Sequence, residues 1–129
     1  MHRAAAIAFA VLATPAVAAT YWQPDQPIVC NQQPTTVAIM NCWEKRTKVW
    51  DGRLNQAYKA LTAMLQAQGA TAQLADLKKA QRLWIQYRNA NCAFYGDAEG
   101  TIREVEGAEC LRRMTQDRAI ELQQAGPQD

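Results

Sequence analysis

Histidine is almost absent from this chain of 129 residues, since its single copy is His2. An imidazole is the usual general base and a common metal ligand near neutral pH. If the segment that contains His2 is removed, as argued next, Ser-His and Cys-His nucleophile schemes and histidine metal sites are excluded. The cysteines are not paired at the spacing of about two to four residues that zinc sites use. We therefore predict no metal site and no cofactor.

Long apolar runs are missing after the N-terminus. The one run, from Ala4 to Val17, follows Arg3 and is too short to span a bilayer as a stable helix. It ends in Ala16-Val17-Ala18, which fits the small-residue rule for signal peptidase. We predict that residues 1–19 are a cleavable signal peptide. The protein is then expected in the periplasm or secreted, with no membrane attachment after cleavage.

Charge of one sign does not dominate the rest of the chain. Beyond residue 19 the net charge is about +1 and no basic stripe stands out, so we predict no nucleic-acid partner. A glycosidase that used only carboxylates would need two acids about 5 to 9.5 Å apart in a cleft. A slim helical bundle offers no obvious cleft of that kind. The protein is therefore not predicted to be an enzyme.

Strand-like alternation is also missing, and apolar residues instead recur at the three-four spacing of helices. Residues 20–34 form a proline-rich lead, which we predict to run extended across the surface. The first helix is predicted to begin at Thr35 or Thr36, either of which is a suitable N-cap, and to end at Gly69.

Two more helices follow in the pattern. The second is predicted over residues 71–95. The third is predicted to open with a capping box formed by Thr101 and Glu104 and to continue to about Gln124. Gly107 is expected to kink or interrupt its first half.

Short connections between these long helices predict an all-α fold for residues 35–124. The helices should form a three-helix antiparallel up-down-up bundle stapled by two disulfides. Four cysteines in an exported chain favour two disulfides. The turn between the second and third helices brings Cys92 near Cys110, which leaves Cys30 for Cys42. The other pairing, Cys42 with Cys92 and Cys30 with Cys110, remains open at this point.

Two arginines fall on or near the apolar rows of their helices. Arg118 shares a row with leucines of the third helix, and Arg88 lies on the second helix. A buried charge needs a partner. Asp51, Asn55 and Gln81 are the candidates, and together the five residues are predicted to form a structural polar seam between helices.

Three segments of the sequence resemble the LprI-type lysozyme inhibitor family of exported bacterial proteins. Their residues are, in chain order, Asp51, Leu54, Asn55, Tyr58 and Leu61; Gln81, Trp84, Ile85, Tyr87, Arg88 and Cys92; and Cys110, Thr115, Arg118 and Leu122. The resemblance covers roughly residues 30–124, and the middle segment is the most specific. It implies an LprI-like helical domain with disulfides, located in the periplasm or secreted, and an activity as a lysozyme inhibitor.

An acidic stretch provides a candidate surface for such a partner. Residues 97–109 contain five acids and one base, a local net charge of −4. We predict that a protein partner, for example a basic lysozyme or another peptidoglycan hydrolase, binds at Asp97, Glu99, Arg103, Glu104 and Glu106. The predicted function is inhibition by occlusion of the enzyme's active-site cleft. The alternative is a periplasmic structural, adaptor or immunity module with a different protein partner.

Overall fold

The protein is all-helical over the residues that its computed structural model describes, which are 20–128. Its helices are α1 (Ile28–Asn31), α2 (Thr36–Ala67), α3 (Thr71–Gly96) and α4 (Arg103–Ala125). The predicted all-α fold is confirmed, with three long helices that run up, down and up and with two disulfides. The predicted signal peptide, residues 1–19, lies outside the described residues.

The proline-rich lead differs from its prediction at one place. Residues 20–26 have no regular structure, but Ile28–Asn31 forms a single helical turn within the segment predicted to be extended. Pro27 directly precedes this turn with φ −55° and ψ −30°. A proline ring fixes φ near the helical value and has no N–H to lose at a helix start. Pro27 therefore favours one turn of helix where the sequence predicted an extended chain.

The helix ends follow the sequence signals at α2 but not at α4. The Thr35 hydroxyl accepts a hydrogen bond from the Ala38 N–H at 3.1 Å, and Gly69 follows the helix with a φ of +66°. The capping box predicted at the start of α4 is wrong. The residue before α4 is Ile102, which makes no side-chain capping bond and has near-helical φ −80° and ψ −15°. Thr101 therefore lies one position too early to cap the helix.

Helix α4 lies between α2 and α3, which contact each other only slightly. The main core consists of the α2 residues Trp50, Leu54, Ala57, Leu61 and Leu65 and the α4 residues Ala119 and Leu122. A smaller core around Trp43 lies near the start of α4. Among the residues of α3, only Cys92 is fully buried. The molecule is thus a layer of three helices with α4 at its centre.

Gly107 sets the close distance between α3 and α4. A Cβ atom built on Gly107 would lie 3.2 Å from the Cα of Gly96, closer than most Cβ contacts. Helix α4 is continuous through this point, so Gly107 does not interrupt it. The absence of a side chain at Gly107 allows the two backbones to approach closely.

Both disulfides follow the preferred pairing. Cys30 bonds to Cys42 with a Cα–Cα distance of 5.5 Å, and Cys92 bonds to Cys110 at 5.4 Å. The first joins α1 to α2 and the second joins the end of α3 to the start of α4. The pairing that remained open is therefore excluded. Within residues 20–128, no helix is both long and apolar enough to cross a membrane.

Candidate protein-binding site

A groove runs between the N-terminal half of α2 and the C-terminal end of α3, and we call it the α2–α3 groove. It exists because α4 separates these two helices and forms the floor with Gly107, Ala108 and Leu111. Its volume is about 540 Å³. Cys92, which is bonded to Cys110, is part of its wall, so a disulfide fixes the groove at its α3 side.

Two carboxylates line the α2–α3 groove from different helices. Glu44 comes from α2 and Glu104 from the first turn of α4, and both side chains belong to exposed residues. Glu104 was predicted from the sequence as a partner-binding residue, whereas Glu44 was not. A signal was present, because Glu44 lies on the same helical face as Met40 and Thr47, which also line the groove. The groove therefore combines an apolar floor with a negatively charged rim.

The other predicted partner-binding residues lie around the same end of the molecule as the α2–α3 groove. They do not form one face. Asp97 follows the last turn of α3, and Asp97, Glu99 and Arg103 are all exposed. Glu106 lies on the other side of α4 from Glu104, in a cleft of about 240 Å³ that Trp43 and Glu109 also line. We use the name acidic end for the whole set of Glu44, Asp97, Glu99, Glu104 and Glu106.

Four of the five residues predicted for the polar seam contact one another in pairs. Arg118 donates from Nε to the Gln81 side-chain oxygen at 3.0 Å. Arg88 lies 3.5 Å from an Asp51 oxygen and also donates to the Thr115 hydroxyl at 3.2 Å. Asn55 is exposed and lies outside these contacts. The two arginines therefore link α3 to α4 and to α2, through partners that include one unforeseen residue, Thr115.

A second polar network, which was not predicted from the sequence, holds the lead against the bundle. The Asp25 carboxylate accepts a hydrogen bond from Arg46 Nε at 2.9 Å and one from Trp50 Nε1 at 2.8 Å. The Asp25 backbone N–H donates to the Gln116 side-chain oxygen at 2.8 Å, and Arg112 donates to the same oxygen at 2.7 Å. This network connects the lead, α2 and α4.

Electrostatics keep Asp25 ionised in this network. Burial alone would raise the pKa of its carboxyl group, because the charged form loses hydration. The hydrogen bonds from Arg46 and Trp50, together with the positive charges of Arg46 and Arg112, outweigh burial and lower that pKa. The hydrogen bond to Asp25 correspondingly raises the pKa of Arg46. Asp25 and Arg46 are therefore a charged pair at neutral pH.

The fold and its disulfides define a small helical domain of the type found outside the cytoplasm, where disulfides persist. The chain belongs to the family described as lysozyme inhibitor LprI, whose model matches residues 30–122. This match confirms the resemblance seen in the sequence motifs. The chain is also similar to an uncharacterized protein of Rhizobium meliloti (strain 1021), with 31% identity over 135 residues, covering 95% of this chain and 94% of the relative. No solved structure matches it.

Proposed function

We propose that this protein works in the periplasm or after secretion as an inhibitor of lysozyme or of a related peptidoglycan hydrolase. It does so as a binding protein that occludes the active-site cleft of its partner, and it catalyses no reaction itself. The main support is membership of a family described as lysozyme inhibitors, over residues 30–122. The acidic end provides a surface whose charge suits such a partner.

The acidic end is proposed to steer the encounter. Lysozymes are commonly strongly basic, and complementary charges raise the rate of association more than they raise the final affinity. Glu44 of α2 and Glu104 of α4 line the same groove, so a lysine or arginine side chain of the enzyme that enters it would meet both carboxylates. Asp97 and Glu99 extend the negative surface along the connection between α3 and α4.

Occlusion of the cleft requires a group other than a carboxylate. Lysozyme-type hydrolases act through a pair of carboxyl groups, which would repel the acids of this protein. Arg103 is exposed at the start of α4 and takes part in no ion pair within residues 20–128. A guanidinium group presents donors that match carboxylate geometry. We assign Arg103 the role of the group that reaches the catalytic acids.

The test is the lysis of a cell-wall substrate by chicken-type, invertebrate-type and goose-type lysozymes in the presence of the purified protein. We expect the wild-type protein to slow lysis in a dose-dependent way at micromolar concentration. A variant with Asp97, Glu99, Glu104 and Glu106 all changed to the neutral amides should inhibit less, and added salt should reduce inhibition by the wild type, because exposed charges are screened beyond about 8 to 10 Å.

Arg103→Ala should also weaken inhibition, but through faster dissociation, because the lost contact is made only in the docked complex. Circular dichroism should show that the helices of both variants are intact. The proposal is wrong if none of the three lysozyme types is inhibited. Inhibition that is insensitive to the four amides, to Arg103→Ala and to salt would exclude the acidic end as the contact surface.

A further inference from the structure

Helix α3 presents an exposed apolar stripe near its C-terminal end. Leu83, Tyr87, Ala90 and Phe94 recur at spacings of four, three and four residues, which places them on one face of a helix. Leu83, Tyr87 and Phe94 expose 55%, 62% and 73% of their surface. These values are unusual for three large apolar residues in one row, and we call this row the α3 stripe.

The α3 stripe lies away from both neighbouring helices. The face of α3 that packs on the bundle contains the half-buried residues Leu77, Trp84 and Arg88, and the flank that carries Asn89 lines the α2–α3 groove. The stripe occupies the remaining flank. Helices in proteins are stabilised mainly by the burial of an apolar face, yet α3 buries only Cys92 fully. This helix therefore has an apolar face that the rest of the described chain does not cover.

The α3 stripe has the symmetry that a contact between two copies requires. Its residues are arranged evenly about a point between Arg88 and Asn89. In an antiparallel pair of α3 helices related by a two-fold axis at that point, Leu83 of each copy lies opposite Phe94 of the other. Tyr87 likewise lies opposite Ala90, so a large side chain meets a small one. Two-fold contacts are self-complementary in this way.

The charges beside the α3 stripe fit the same antiparallel arrangement. Lys79 precedes Leu83 by one helical turn, and the acids Asp97 and Glu99 follow Phe94. The two-fold axis places Lys79 of one copy beside the C-terminal end of α3 in the other, where Asp97 is the C-cap and Glu99 follows in the turn. All three charged residues are exposed. A parallel arrangement would instead bring equal charges together.

We propose that this protein forms an antiparallel homodimer through the α3 stripe, with Lys79 of each copy paired to Asp97 and Glu99 of the other. The proposal does not rest on lysozyme inhibition, although Asp97 and Glu99 also belong to the acidic end. The stripe from Leu83 to Phe94 is only about 16 Å long, which corresponds to a small interface, and the dimer is therefore weak, with a dissociation constant between micromolar and millimolar. Glu44 and Glu104 remain free in the dimer.

The test uses sedimentation of the purified protein over a concentration range from about 10 µM to about 1 mM, where interfaces of this size assemble. The wild type should shift from monomer to dimer within this range. Lys79→Glu alone and the double variant Asp97→Lys/Glu99→Lys should each weaken the dimer by about tenfold or more, because each brings like charges together at both ends of the contact.

An equimolar mixture of these two variants should restore the dimer. In the mixed pair, the acid at position 79 of one copy faces the lysines of the other, and the original charges meet at the opposite end. Weakening by each variant alone, followed by this rescue, is specific to an antiparallel contact, because a parallel contact opposes like charges in the wild type and in both variants alone. Phe94→Ser should prevent dimerisation, whereas the matched control Ile85→Ser, at an exposed apolar residue on another flank of α3, should not. Circular dichroism checks that each variant keeps its helices.

Three results would overturn the proposal. The first is a wild-type protein that stays monomeric across the whole concentration range. This holds even if another partner is found to bind the α3 stripe. The second is a dimer that both charge reversals and Phe94→Ser leave unchanged. The third is a mixture of the two charge-reversed variants that remains monomeric.

Discussion

Asp25 lies in the lead, yet its side chain is only 8% exposed because α2 and α4 enclose it. Its carboxylate holds Arg46 and Trp50 of α2, and its backbone N–H reaches Gln116 of α4. Loss of one partner leaves the other charge without compensation, which is costly in a partly buried site. The attachment of the lead to the bundle therefore depends strongly on the charge of one residue.

We predict that Asp25→Asn lowers the free energy of unfolding at neutral pH by about 2 to 4 kcal/mol, since it removes charged hydrogen bonds to Arg46 and Trp50. Urea denaturation measures this difference. Asp76→Asn, at an exposed acid of α3, is the matched control and should change stability by less than about 0.5 kcal/mol.

The difference between wild type and Asp25→Asn should depend on pH. The pKa of Asp25 is lowered in the folded protein from its ordinary value of 3.8, so the unfolded chain binds a proton first as the pH falls. The ionised carboxylate contributes its full stabilisation above pH 3.8. This contribution disappears as the pH falls through the lower pKa that Asp25 has in the folded protein. The difference between the two proteins should therefore begin to shrink near pH 3.8 and vanish at lower pH. A constant difference from neutral to strongly acidic pH would contradict the pKa shift.

Single residues show why the sequence predicts only part of the polar network. Arg88 and Arg118 were recognisable because each falls near an apolar helical row and needs a partner, and Gln81 and Asp51 do contact them. The polar network around the buried Arg112 was not predicted from the sequence. Its partner Gln116 accepts a hydrogen bond from Asp25 of the irregular lead. The position of such a lead depends on tertiary contacts that periodicity does not contain.

At the scale of the helices, the contact between α3 and α4 depends on Gly107. We predict that Gly107→Val lowers the free energy of unfolding by about 1 to 3 kcal/mol, because the new side chain would meet the Gly96 backbone. The control is Gly52→Ala in the middle of α2, where an added Cβ meets nothing within 4 Å. That variant should stabilise the protein by about 0.5 to 1 kcal/mol, the usual gain of alanine over glycine in a helix. Equal effects of the two substitutions would contradict the close approach.

The three long helices were predictable because their signals are local. Thr35, Gly69 and the three-four apolar rows indicate where α2 begins, ends and packs. The packing of α4 was harder to predict from the sequence. One row was expected, containing Leu111, Arg118 and Leu122, but α4 lies between two helices and buries a second row with Ala108, Arg112 and Ala119. The second row was hidden in the sequence because its polar members, such as Arg112, resemble a solvated helix face.

At the scale of the whole molecule, the negative charge is concentrated at one end. The sequence alone located most of this end, because five acids lie within residues 97–109. The α2–α3 groove and the contribution of Glu44 were not predictable, since they follow from the position of α4 between α2 and α3. The structure also separates Glu106 from Glu104 on opposite sides of α4.

The most direct test of the central claim is the association rate of the protein with a lysozyme that it inhibits, measured by stopped flow at low and high salt. The double variant Glu44→Gln/Glu104→Gln should associate about tenfold more slowly at low salt and at nearly the wild-type rate at high salt. Asp76→Asn/Asp117→Asn removes the same charge from exposed sites outside the α2–α3 groove and should stay close to wild type. Equal slowing by both double variants would show that only net charge matters and would contradict docking at the acidic end.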